Sequence, residues 1–239
     1  GRWRRICVLP NLLGELGPAF RHSAEPGLGY RMAPTAFPHH SPTPPLLVVL
    51  SGPSGVGKDA ALDSLKKLDR PWHFVVTATT RPQRPTERDG VEYIFLSDDE
   101  FAQMKDSGEF LEFAEVYGRW YGVPRSQVTV GFEAGNDVIL KVDVQGAETV
   151  RHLAPQAVFI FMVPGSPDEL RDRLSLRLTE SSPEMELRLN TAKEEMAMVE
   201  MFDYRVVNED GGLDRAIADI DAIIAAEKCR VTPRTINFT

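Results

Sequence analysis

Between Leu46 and Leu62 the chain reads LLVVLSGPSGVGKDAAL, and this stretch limits the possible fold more than any other. Five apolar residues, Leu46 to Leu50, run unbroken, as a strand buried on both faces requires. Gly52, Pro53, Ser54, Gly55, Val56, Gly57 and Lys58 follow, and then a helix-competent run from Asp59 to Leu68. Strand, glycine loop, lysine and helix in this order form the phosphate-binding pattern G-x-x-x-x-G-K-[ST], with its last position altered to Asp59. Glycines at 52, 55 and 57 let backbone N–H groups turn inward around an anion. The helix start aims its positive end at the same place, and Lys58 adds a mobile cation for β- and γ-phosphates. A glycine turn that binds nothing would need neither the strand before it nor the helix after it. Asp59 puts a carboxylate where a hydroxyl normally meets Mg²⁺.

The remainder of the chain alternates strands and helices. His73–Thr80 is rich in β-branched residues and reads as a strand; Arg81–Gly90 is a polar turn and Val91–Leu96 a further strand. Ser97 and Glu100 form a capping box for a short helix ending near Gly108. Phe110–Val116 returns as a strand with a turn at Tyr117 and Gly118, and Arg125–Ala134 is helical up to Gly135. Val138–Val144 is a buried strand, Ala147–Leu153 a helix and Ala157–Val163 a third buried strand. Ser166, Pro167 and Glu169 open the next helix, which polar residues Thr179–Pro183 interrupt before Glu184–Phe202 resumes it. Tyr204–Val207 is a last strand. Leu213–Lys228 is an amphipathic helix with Leu213, Ile217, Ile220, Ile223 and Ile224 on one side. The order implies an α/β fold: a parallel sheet covered by helices on both faces.

Residues 1–45 differ. Proline and glycine recur without helix or strand period, and five arginines against two glutamates give +3 here, leaving −11 for the remainder of a chain whose net charge is −8. The segment reads as a disordered or non-native extension, with Met32 as an alternative start. Arg2, Arg4 and Arg5 before an apolar run faintly suggest a signal, but Pro10, Asn11 and Gly14 interrupt it. The acidic balance argues against nucleic acid and anionic membrane as partners. Two cysteines, Cys7 and Cys229, give no disulfide framework or metal spacing and suit a reducing compartment. The cytoplasm is the expected location, an organelle the alternative. No apolar run approaches the length of a membrane span.

From Leu46 to Lys228 the sequence resembles the guanylate kinases. The resemblance is carried by SGPSGVGK, TTRPQRPTERDGVEYIFLS, EFLEFAEVYGRWYGVP, VDVQGAETV, the segment Arg173–Arg188 and YRVVNED. It implies a three-part kinase that moves the γ-phosphoryl of MgATP to GMP, with Mg²⁺ accompanying ATP, acting as a monomer or homodimer. The parts are a core (46–76, 124–172 and 189–230), a small β-rich GMP-binding insertion (77–123) and a helical lid (173–188); 231–239 is a tail. By resemblance, Gly52 to Asp59 and Asn208 bind ATP. Arg81, Arg84, Tyr93 and Tyr121 hold the GMP phosphate, where two guanidinium forks three residues apart can converge on one anion. Glu112 accepts from guanine N1–H and N2–H₂, Thr77 meets O6, and Asp143 is a second acceptor. A buried acceptor of this kind rejects adenine, which would leave it unpaired. Arg173, Arg177 and Arg188, with Lys58 and Arg81, carry catalysis by stabilising charge on the transferring group. Simpler readings exist: a solvated basic turn for Arg81 and Arg84, the outer face of a strand for Glu112, and helix-surface pairs with Glu169, Asp172 or Glu184 for the arginines.

Three positions depart from the family pattern. Asp59 replaces the loop hydroxyl, Lys141 stands where an acidic residue is usual, and Val123 replaces a small hydroxyl residue. The first two changes are opposite in charge, so Asp59 and Lys141 are expected to face each other and offset one another. Whether Asp59 ligates Mg²⁺ or is engaged by Lys141 stays open at this stage. Eroded metal ligation is also what a kinase-derived protein-binding module would display, and a kinase for another small phosphate acceptor is a third reading.

Overall fold

The computed structural model describes residues 43–116, 118–176 and 182–238, apart from the side chains of 176 and 182–185. Arg177, Tyr117, residues 1–42 and the middle of the expected lid lie outside the described residues. Five parallel strands form the main sheet in the order β2 (Trp72–Phe74), β7 (Asp137–Lys141), β1 (Leu47–Ser51), β8 (Val158–Pro164) and β9 (Tyr204–Asn208). A second sheet runs β4 (Ile94–Phe95), β3 (Ala78–Thr79), β6 (Arg119–Pro124) and β5 (Phe110–Val116). The β3–β6 and β5–β6 pairs are antiparallel.

The unbroken apolar run of β1 serves two cores, because successive side chains point to opposite faces. Leu46, Val48 and Leu50 pack with Leu62 and Leu65 of α1 (Lys58–Leu65) and with Ile217, Ile220 and Ile224 of α7 (Leu213–Lys228). Leu47 and Val49 pack on the other side with Val128 of α3 (Arg125–Glu133) and Ala147 and Val150 of α4 (Val144–Leu153). Val123 joins this second cluster, fully buried. The remaining helices are α2 (Asp98–Asp106), α5 (Pro167–Leu176) and α6 (Ser182–Ala197), the last continued by a 3₁₀ turn at Met198–Met201.

Several boundaries differ from those read in the sequence, each for a local reason. His73–Thr80 is two strands in two sheets: the Val75 N–H donates to Ile139 O in the main sheet, while Thr77 O accepts from Ile94 N in the second. Of Val91–Leu96 only Ile94 and Phe95 are strand. β6 was not expected. Its Gly122 and Pro124 weaken strand propensity, yet glycine is required there, since a Cβ at 122 would lie 2.8 Å from the Phe110 ring. Val138–Val144 ends as a strand at Lys141, because Asp143 turns to cap α4, its Oδ1 accepting from Gly146 N at 2.7 Å. The capping box at Ser97 and the bounds of α7 are as read.

The described residues past α7 carry no helix or strand, yet Arg234 and Phe238 dock on the domain. Arg234 bonds both carboxylate oxygens of Glu227 and the carbonyls of Gln156 and Ala157, and Phe238 meets Phe132 edge to face. Asp137 ties the start of β1 to the end of α7: buried Oδ1 accepts from Leu46 N at 2.8 Å and from Lys228 Nζ at 2.6 Å. Replacing Asp137 with alanine leaves the buried Leu46 N–H without its acceptor and removes the ion pair to Lys228, which keeps the Pro44 carbonyl at 3.2 Å. The expected cost is about 2 kcal/mol, read as a lowered urea midpoint with unchanged slope.

Candidate active site

β1 delivers the chain to the phosphate-binding loop at its C-terminal end. Gly52 adopts φ 145°, and a Cβ there would overlap the Met162 carbonyl of the neighbouring strand. Gly57, at φ 100°, precedes α1 without any side-chain cap. The first N–H groups of α1 are therefore directed at the loop with no protein oxygen capping them from that position, which suits an anion. Lys58 Nζ donates to the carbonyls of Gly52 and Pro53. Burial pulls its pKa down, against the pull of Glu195, Asp59 and Asp143.

The far wall of the loop comes from distant elements. Val56 O accepts from Asn208 Nδ2 at 2.8 Å and from Arg173 Nη1 at 3.3 Å. Arg173 is also held by Asp210 at 3.1 Å and Glu169 at 3.5 Å. Ser54 N–H donates to Glu195 Oε2 at 3.0 Å, and burial raises the pKa of that carboxyl. Glu195 was not singled out from the sequence. Its signal is its position three residues after buried Ala192 on α6, which turns it inward. Arg188, on the same helix, is half-buried.

Asp59 and Lys141 meet. Lys141 Nζ donates to Asp59 Oδ1 at 2.7 Å, and it also reaches Tyr93 Oη at 2.7 Å. Strand register explains the meeting: Lys141 is paired with Leu50 at the end of β1, beside the loop that leads into α1. Burial disfavours the Lys141 charge, but Tyr93 and Asp59 outweigh it and push the pKa up to about 12. Tyr93 packs edge-on to Tyr121, with ring centroids 6.1 Å apart. The Arg81 guanidinium lies 5.2 Å from the centroid of the Tyr93 ring and grips Glu87 through two bonds of 2.9 and 3.0 Å. Arg84 Nη1 is 3.6 Å from Glu87, whose carboxyl is held low by these arginines although burial opposes it. Glu87 is a second residue the sequence reading passed over.

Glu112, on β5, is buried, and its Oε2 has no hydrogen-bond partner among the described residues. Gly146, in the first turn of α4, makes room for it: a Cβ there would lie 2.7 Å from that oxygen. Burial first, and the Asp143 charge second, push the Glu112 pKa up to about 8. Thr77 is buried at the start of the second sheet. A groove of about 400 Å³, lined in part by Val116, Asp143, Gln145, Leu187 and Glu195, opens beside these elements.

An uncapped helix start behind a glycine loop, a half-buried lysine, a cluster of arginines and tyrosines, and an unpaired buried carboxylate together suit phosphate groups and a base that offers hydrogen-bond donors. The guanylate kinase family model matches residues 45–227, and the chain belongs to that family. Among curated relatives, "Guanylate kinase 2, chloroplastic/mitochondrial" of Oryza sativa subsp. japonica is 45% identical over 198 residues, covering 82% of this chain and 70% of that protein. The guanylate kinase of Caldanaerobacter subterraneus subsp. tengcongensis is 45% identical over 186 residues, covering 78% and 89%. Among solved structures, guanylate kinase from Anaplasma phagocytophilum aligns with a TM-score of 0.66 at 32% identity, covering 79% of this chain and 89% of that one. No described helix is long and apolar enough to cross a membrane.

Proposed function

We propose that this enzyme transfers the γ-phosphoryl group of MgATP to GMP, giving ADP and GDP, in the cytoplasm or, as the rice relative's name suggests, in an organelle. The observation that carries the choice of acceptor is Glu112, a buried carboxylate with an unpaired oxygen and Asp143 as its electrostatic neighbour. Guanine offers N1–H and N2–H₂ side by side and satisfies such a group, whereas adenine presents an acceptor at N1 and leaves it unpaired. Thr77 and Asp143 complete the base site in this reading. Arg81, Arg84, Tyr93 and Tyr121 hold the acceptor phosphate, and residues 77–123 form the acceptor-binding insertion on a core of 46–76, 124–172 and 189–230.

Gly52, Pro53, Ser54, Gly55, Val56, Gly57 and Lys58 cradle the donor phosphates, with Asn208 near the donor base. Lys58, Arg173 and Arg188 stabilise the negative charge spread over the equatorial oxygens of the transferring group. Arg177 would join them as part of a lid over 173–188, though it lies outside the described residues. No general base is needed, because a phosphate monoester with a second pKa of about 6 is already mostly dianionic at neutral pH. Mg²⁺ arrives with ATP and neutralises phosphate charge. Among the described residues no group of three or more His, Cys, Asp or Glu side chains is arranged to hold a metal, and Asp59 is engaged by Lys141. We therefore assign Asp59 to the ammonium and the metal to nucleotide oxygens and water.

A coupled assay of ADP formation with MgATP and GMP, AMP, CMP or UMP tests the proposal. GMP should exceed each alternative by about a hundredfold or more in kcat/KM. Comparable turnover with another monophosphate would overturn the acceptor, and none with any of the four would overturn the reaction.

A further inference from the structure

We propose that Lys141 is a positioning residue for the acceptor phosphate: it fixes the direction in which the Tyr93 hydroxyl donates and stands beside that hydroxyl as a cation. The inference rests on the reading of Arg81, Arg84, Tyr93 and Tyr121 as the phosphate holders. It goes beyond charge compensation at position 59, because it makes the Asp59–Lys141 exchange act on the acceptor side of the reaction.

The argument starts from donors and acceptors. An ammonium carries three donors and no acceptor, whereas a phenol carries one donor and can also accept. With Lys141 Nζ 2.7 Å from Tyr93 Oη, the ammonium must donate and the phenolic oxygen must accept. The phenolic proton is thereby directed away from Lys141, and the adjacent charge makes it a stronger donor. A carboxylate at position 141 would do the opposite, taking the phenolic proton for itself.

Asp59 supplies the second half of the device. It binds Lys141 at 2.7 Å and fixes the ammonium at the hydroxyl. Glu87 holds Arg81 in the same manner, through bonds of 2.9 and 3.0 Å. Both cations converge on one ring, Lys141 Nζ at 4.3 Å and the Arg81 guanidinium at 5.2 Å from the Tyr93 centroid. Two cations prefixed by two carboxylates around a polarised hydroxyl suit a dianion, which relieves the repulsion between them. The lysine stem is largely buried, its side chain only 15% exposed, so the ammonium has little freedom to leave.

Calorimetric binding of GMP and of guanosine to the full chain, without ATP, tests this. The parent, Lys141→Met, Lys141→Arg, Tyr93→Phe and the Lys141→Met/Tyr93→Phe double variant are compared, with melting temperatures as a check on folding. Lys141→Met is expected to weaken GMP about ten- to a hundredfold, the range for hydrogen bonds involving charge, and to leave guanosine unchanged. Lys141→Arg should recover part of the loss. In the Tyr93→Phe background the same Lys141→Met change should cost much less, because no hydroxyl remains to direct. An unchanged GMP affinity in Lys141→Met, an equal loss for guanosine, or the same cost with and without the Tyr93 hydroxyl would each overturn the inference alone. A parent chain that binds no GMP would overturn the acceptor reading and this inference with it.

Discussion

Lys58→Met should lower kcat for GMP-dependent ADP formation by about a thousandfold or more, the scale on which a single cation at a transferring phosphoryl group acts. Lys58, half-buried, donates to the loop carbonyls of Gly52 and Pro53, where it can follow a phosphate along the loop without leaving its cradle. Charge develops on the leaving phosphate as its bond to the transferring group breaks, and a cation beside both is worth most then, so the loss should fall mainly on kcat, with a smaller rise in KM for ATP. The fold should tolerate the change. Methionine fills a similar volume, and burial already disfavours the ammonium, so the melting temperature should hold or rise slightly. Steady-state kinetics and scanning calorimetry on one preparation check both parts. A kcat within about tenfold of the parent would remove Lys58 from the chemistry.

The second large effect is at Glu112. Glu112→Gln keeps the shape but, on the proposed reading of the base site, puts an NH₂ opposite the guanine donors, and kcat/KM for GMP should fall by about 10²- to 10⁴-fold while the preference over AMP collapses. The pH dependence carries the sign of the mechanism. In the empty site burial holds the proton on Glu112 up to about pH 8, against an ordinary value of 4.5. The protonated carboxyl cannot accept both guanine donors, so GMP binding must expel the proton. KM for GMP should therefore fall as pH rises toward 8 and level off above it, and Glu112→Gln should lose this dependence. The same shift has a consequence for the empty fold. Between about pH 4.5 and 8 the folded chain holds a proton that the unfolded chain has released, so this residue's contribution to stability declines as pH rises through that window and is flat beyond it. Urea midpoints of the parent and Glu112→Gln across the window measure it.

The local motifs were readable because their chemistry is contiguous. Strand, glycines and lysine lie within thirteen residues from Leu46 to Lys58, and Ser97 with Glu100 announces a helix start by itself. Asp59 and Lys141, 82 residues apart, could be paired in advance only because their departures had opposite sign at positions topology brings together. What stayed hidden depends on long-range geometry. Glu195 reaches Ser54 across 141 positions, and only the helix face of Ala192 hints at it. Thr77 follows a β-branched run that is continuous in sequence yet divided between two sheets, and no local signal marks where the chain leaves one for the other. Gly122 lowers the strand propensity of β6 for a reason found only in the Phe110 ring opposite. The Tyr93 contact of Lys141 needed both sheets in place, since one residue comes from each side of the divide.

Proton release on binding tests most directly the proposed reading of guanine by a buried carboxylate on the second sheet. GMP is titrated into the parent and into Glu112→Gln at pH 7 in two buffers of different ionisation enthalpy. With a Glu112 pKa near 8 in the empty site, the parent should release close to one proton per GMP, and the release should shrink as the buffer pH is raised through that value. Glu112→Gln should release almost none. Equal proton release from parent and variant, or none from either, would contradict the assignment of Glu112 as the guanine acceptor.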